Sequence, residues 1–177
     1  MHSIAPMANP ATGERFEFVS SARDGDGRFR FRWTLAPRRR GPPEHRHLHE
    51  RETFTLVGGC LQVWVDGVCR ELRTGEPLTA EVGTYHRFYN PGDTPAVIDV
   101  ELDGTELEDT MVPMAAHFAG RERQTLAEVI RIFLHDVTVG ATVRKSLFVR
   151  GLLGFFAALG RLFGLTRFPV VEEWKPR

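Results

Sequence analysis

A chain of 177 residues fits one domain with at most an appendage, and it is long enough to bury a sizeable core. Lys plus Arg and Asp plus Glu each number 23, so no charge excess points to nucleic acid or an acidic membrane as the main partner. The opening MHSIAPMANPATGE has no basic stretch followed by an apolar run, so no secretory signal is read and the cytoplasm is the expected compartment.

Residues 1–14 read as an N-terminal arm, 15–105 as a β-rich body, and 106–177 as a helical extension packing on that body or on a partner subunit. RFEFVS and RFRFRWTL, joined by the turn-rich ARDGDG, predict a hairpin. RFRFRWTL alternates strictly, with Phe29, Phe31 and Trp33 on one face and Arg28, Arg30 and Arg32 on the other, as a half-buried strand requires.

ETFTLV and CLQVWV flank Gly58-Gly59, while CLQVWV and VCREL flank Asp66-Gly67. Both dipeptides suit hairpin turns with positive φ, so a three-stranded meander is expected. Turning at Asp66-Gly67 sets Cys69 opposite Trp64 and away from Cys60, which argues against a disulfide between the cysteines. TYHRFYN ends at PGDTP, and AVIDVEL places Ile98, Val100 and Leu102 on one face. Short strands with frequent turns and no intervening helical pattern predict an antiparallel sandwich or barrel.

In RERQTLAEVIRIFLHDV the apolar positions Leu126, Val129, Ile130, Phe133 and Leu134 follow the helical period, predicting an amphipathic helix. The apolar tail around 146–165 does not suit a membrane span. Arg150 and Arg161 bracket ten uncharged residues, about 15 Å of helix against the ~30 Å of a bilayer core. That tail and the exposed edges of a short-stranded barrel favour a homodimer.

The stretch PEHRHLHERET sets His45, His47 and His49 at alternate positions ahead of Glu50 and Glu52. Residues two apart on extended chain share a face, so His45 with His47, or His47 with His49, can converge on an ion. The first pair leaves four residues before Glu52, enough for a loop, whereas the second leaves two. Glu52 shares a face with Phe54 and Leu56 and so points inward, where a bound cation would offset its desolvation. Glu50, nearer the loop, is expected to stay solvated, and His49 is expected to be a loop residue.

These residues resemble the cupin superfamily, in its small single-domain form. Its first motif is written G-x5-H-x-H-x3,4-E-x6-G, and here His45, His47, Glu52 and Gly59 fall at those intervals. Its second motif, G-x5-P-x-G-x2-H-x3-N, is met by Gly75, Gly83, His86 and Asn90. Arg39 stands where the first motif begins with glycine, and Glu81 stands at the proline of the second. The resemblance implies a small antiparallel β-barrel of the jelly-roll type, followed here by the C-terminal helices. It also implies one divalent transition metal held by His45, His47, Glu52 and His86.

Iron, manganese, nickel, copper, cobalt and zinc all accept imidazole with carboxylate. By strand alternation Phe31, Trp33, Phe54 and Phe88 are candidates to line a substrate pocket. The leading expectation is a metal-dependent oxygenase acting on a small molecule, with Glu52 doubling as a base if it detaches from the metal. A metal-containing ligand-binding or sensor protein, or a metal-dependent isomerase or lyase, is the alternative.

Overall fold

The computed structural model describes residues 13–118, together with 2–3, 6–9, 158, 162 and 174–175. The amphipathic helix expected near 121–137 and the apolar tail lie outside the described residues. In chain order the strands are β1 (His2–Ser3), β2 (Met7–Asn9), β3 (Glu14–Ser20), β4 (Phe29–Leu35), β5 (Glu52–Gly58), β6 (Leu61–Val65) and β7 (Val68–Leu72). There follow β8 (Pro77–Ala80), β9 (His86–Tyr89), β10 (Ala96–Leu102), helix α1 (Glu106–Phe118) and β11 (Trp174–Lys175). Among the described residues, no helix is long and apolar enough to cross a membrane.

A six-stranded antiparallel sheet, ordered β2-β3-β4-β10-β5-β8, and a three-stranded one, ordered β7-β6-β9, enclose a shared core as an antiparallel β-barrel of the jelly-roll type. β1 and β11 form a separate parallel pair. The expected β3–β4 hairpin forms, with Phe16 opposite Trp33 and Phe18 opposite Phe31.

β10 lies between β4 and β5, so Val100 sits between Phe31 and Phe54 and Ile98 between Trp33 and Leu56. Each large apolar side chain buried in such a row contributes about 1.5–3 kcal/mol. The opposite face of the same strands is polar, as alternation requires. There Arg32 makes a two-pronged contact with Asp99 at 2.7 and 2.9 Å, and Arg28 and Arg30 both reach Glu101.

The meander expected about Gly58-Gly59 is not what forms. β5 pairs with β10 and β8, whereas β6 pairs with β7 and β9, so the glycine pair carries the chain from one sheet to the other. Gly59 has φ +85°, and a Cβ there would lie 2.4 Å from the Pro95 carbonyl oxygen, so the crossing passes hard against the chain ahead of β10. At Asp66-Gly67 the hairpin does form, with φ of 47° and 83° and Trp64 opposite Cys69. Both cysteines are free and exposed.

Helix α1 follows β10 directly and packs Met111, Val112 and Ala115 into the core. Its buried Glu108 accepts hydrogen bonds from Ser21 Oγ at 2.5 Å and Ala22 N–H at 2.8 Å, tying the helix to the β3–β4 connection.

Candidate metal centre

Residues 38–45 run antiparallel to β9, which sets the first histidine in place. Gly41 N–H donates to the Phe88 carbonyl, and His45 and His86 exchange backbone hydrogen bonds of 3.0 and 2.8 Å. Three residues, Pro42, Pro43 and Glu44, thus span the interval opposite Arg87 alone, a bulge that turns the following loop toward the barrel interior. No side chain fits at Gly41, where a Cβ would lie 2.6 Å from the Trp33 ring. Glycine is therefore needed here, two residues beyond the position the family motif gives it. His47 is pinned through its carbonyl, which accepts Gly83 N–H at 2.7 Å. Glu52 opens β5 between Leu102 and Ala80.

One potential ligand atom from each of His45, His47, Glu52 and His86 lies within 4.8 Å of all the others. His45 and His86 have ring centroids 4.4 Å apart, and His47 Nε2 stands 3.0 Å from Glu52 Oε2. The protonation pattern suits a cation. His45 Nδ1–H donates to the Pro43 carbonyl at 2.9 Å, and His86 Nδ1–H donates to the Thr84 carbonyl at 3.0 Å. Both neutral rings then turn an Nε2 lone pair toward the cluster.

His86 Nε2 is buried and makes no hydrogen bond, although Glu52 Oε2 is 3.0 Å away. Lone pair facing lone pair in a buried site is repulsive unless a positive charge lies between them. Imidazole nitrogens with one carboxylate are a donor set for divalent first-row metals. The cluster suits such an ion.

The site's electrostatics agree. Burial, followed by the proximity of His86, pushes His45 down to about 4, so it stays a neutral donor in mildly acidic solution. Burial works against a charged His47, but contact with Glu52 outweighs it and holds His47 above its ordinary value. For Glu52, burial opposes ionisation, and the hydrogen bond from His47 more than offsets it, keeping the carboxyl well below the usual range.

Phe54 and Phe88 adjoin His86, at centroid distances of 5.8 and 5.6 Å, and Trp33 meets Phe88 edge-on at 5.6 Å. Phe31 packs on Phe29 and Phe16. His49 stands apart from the cluster, its side chain 72 % exposed and 3.8 Å from Glu106.

Glu50 corrects the sequence reading. It is 2 % exposed, and its carboxylate accepts the backbone N–H groups of Glu106 and Leu107 at the start of α1. Burial pushes its carboxyl above the ordinary range, with those two hydrogen bonds working the other way.

A small antiparallel barrel with three imidazoles and a carboxylate gathered inside defines the class: the barrel has the cupin fold. Residues 31–103 match the family model described as "Cupin domain", so this part of the chain is a small cupin domain. It is 35 % identical over 69 residues to the "Probable oxidoreductase patJ" of Aspergillus clavatus, covering 38 % of this chain and 21 % of that protein. The protein of the same name from Penicillium expansum is 34 % identical over 71 residues, covering 39 % and 22 %. The match thus spans about a fifth of the length of these curated relatives. Among solved structures, KdgF from Halomonas sp. is similar with TM-score 0.48 and 18 % identity, covering 58 % of this chain and 94 % of that one. The cupin domain of Schizosaccharomyces pombe Cnp3 is similar with TM-score 0.47 and 13 % identity, covering 56 % and 70 %.

Proposed function

We infer that this cupin binds one divalent transition metal through His45, His47, Glu52 and His86, and that it is a metal-dependent oxygenase of small organic molecules. The observation that carries the metal reading is the buried His86 Nε2, 3.0 Å from a carboxylate oxygen and without a hydrogen bond. The name "oxidoreductase" borne by the two fungal relatives supports redox chemistry at such a site. Three imidazoles and one carboxylate leave positions open on a six-coordinate ion, which would supply Lewis acidity and a template for substrate and dioxygen.

The chain's own residues do the rest. Phe54 and Phe88, buried beside His86 and backed by Phe31 and Trp33, exclude water on that side of the cluster. The Pro43 and Thr84 carbonyls fix the rings of His45 and His86, the outer hydrogen bonds that orient such donors. Glu52 carries the negative charge of the cluster, and on detaching from the ion its carboxylate would be free to accept a proton from an enol, phenol or acid.

Oxygen-electrode measurements with iron-, manganese- and nickel-loaded protein against a panel of small phenols and carboxylic acids test the reading. Substrate-dependent oxygen uptake, lost in Glu52→Ala, is expected. Turnover without oxygen uptake would make the protein an isomerase or lyase, and tight capture without turnover would make it a sensor.

A further inference from the structure

The ligand-bearing loop 45–52 is gripped from outside the barrel by the connection between β10 and α1. Leu102, the last residue of β10, is paired with Glu52. Next along the chain, Asp103 takes hold of Arg51 twice, accepting its backbone N–H at 2.7 Å and its Nε–H at 2.6 Å. Gly104 then passes so close to Glu50 that a Cβ there would lie 2.6 Å from Oε1 and 2.7 Å from Cγ. Beyond it, the Glu106 and Leu107 N–H groups donate to the two oxygens of Glu50, at 2.5 and 3.2 Å. Successive residues of the loop, Glu50, Arg51 and Glu52, are thus each matched to this one short segment.

A carboxylate with 2 % exposure is costly to desolvate, and an apolar side chain would fill the space at less cost. What a carboxylate adds is a two-oxygen acceptor for the unpaired N–H groups and positive end of a helix. That joins α1 to a loop which has little regular backbone pairing of its own.

We propose that Glu50 is a positioning residue: through its carboxylate, the segment 103–107 clamps the loop 45–52 and sets the placing of His47 and Glu52. The role rests on the metal-centre reading above and deepens it. It also makes α1 a lever on the site, because any displacement of the helix N-terminus pulls on a residue two positions from Glu52.

The test uses the full chain with Glu50→Ala, Glu50→Gln and Gly104→Ala. Glu108→Gln is the control, since it loosens α1 from the β3–β4 connection without touching the loop. Two readouts are taken: cobalt(II) titration followed by the visible absorption bands, and hydrogen exchange of the peptide spanning 43–52 in metal-free protein. In Glu50→Ala, cobalt affinity should fall about 10- to 100-fold, the bands should shift and exchange over 43–52 should quicken. Glu50→Gln, whose amide oxygen accepts one of the two N–H groups, should recover part of each, and Gly104→Ala should resemble Glu50→Ala.

Glu108→Gln should lower the melting temperature and leave the bands and the exchange of 43–52 unchanged. Unaltered exchange of 43–52 in Glu50→Ala, or equal changes in Glu108→Gln, would overturn the proposal. If wild-type protein takes up no cobalt while Glu50→Ala still frees the loop, the metal reading fails and the clamp stands.

Discussion

Replacing His45 and His49 by alanine, one at a time, separates a buried donor from a neighbour four residues away in the same loop. His49 is 72 % exposed, and its contact with Glu106 is of the surface kind worth about 0–1 kcal/mol, so its loss should shift stability by no more than about 0.5 kcal/mol. His45 faces the cluster, and its truncation also removes the hydrogen bond to the Pro43 carbonyl, a loss of about 0.5–1.5 kcal/mol.

The metal amplifies this contrast. A free ion at 100 times its dissociation constant stabilises the folded state by about 2.7 kcal/mol, and for a chain of this length each kcal/mol moves the melting temperature by about 2–4 °C. Added cobalt should therefore raise the melting temperature of wild type and His49→Ala by about 5–10 °C, and leave that of His45→Ala unmoved. Differential scanning fluorimetry with and without cobalt, read beside metal content after dialysis, gives the answer. Equal losses from His47→Ala and His49→Ala, with His45→Ala silent, would show that the histidine register is wrong.

Acidification probes the donor set from another side, because ligation requires neutral imidazoles and protons compete with the ion. His47, held up by Glu52 against its burial, yields first, whereas His45 at about 4 yields last, so cobalt affinity should fall steadily below about pH 6.5 in equilibrium dialysis. An affinity at pH 5 equal to that at pH 7 would refute the ligand set. In metal-free protein the two histidines oppose each other. The raised His47 contributes stability that is present below about 6.5 and lost as pH rises through its folded value, while the depressed His45 costs stability as pH falls from about 6.5 towards 4. Denaturation of metal-free protein should accordingly vary less between pH 5 and 7 than that of loaded protein. Gly59→Ala combines a left-handed backbone, costing about 1–2 kcal/mol, with a Cβ 2.4 Å from the Pro95 oxygen, so chemical denaturation should show a loss above 2 kcal/mol. A neutral result would mean that the sheet crossing is looser than described.

The parts of the fold that were legible in the sequence are those where period-2 alternation spans a whole strand. β4 and β10 alternate buried with part-buried or exposed residues from end to end, and both were read correctly down to the faces. The glycine pair at 58–59 misled because positive φ serves a hairpin and a sheet crossing equally, and only the distant partner strands distinguish the two. β8 escaped notice because four residues opening with Pro77 carry no pattern of their own; its place comes from pairing with β5.

Helix α1 falls at the start of the stretch 106–177 read as helical, but its bounds carried no signal, because Pro113 in its interior is an unfavourable residue that packing into the core outweighs. At the site, alternation showed only that two of the three loop histidines could share a face; His86 joined the set through the resemblance to the two family motifs. Glu50 gave no signal, since an irregular loop has no period. Its partners, the N–H groups of Glu106 and Leu107, are more than fifty positions away and carry no side-chain signature.

Anomalous diffraction from crystals of cobalt-loaded protein tests the central claim most directly. One peak is expected inside the barrel, about 2.0–2.2 Å from Nε2 of His45, His47 and His86 and from a Glu52 carboxylate oxygen. An empty cluster, or a peak ligated by His49 in place of His45, would contradict it.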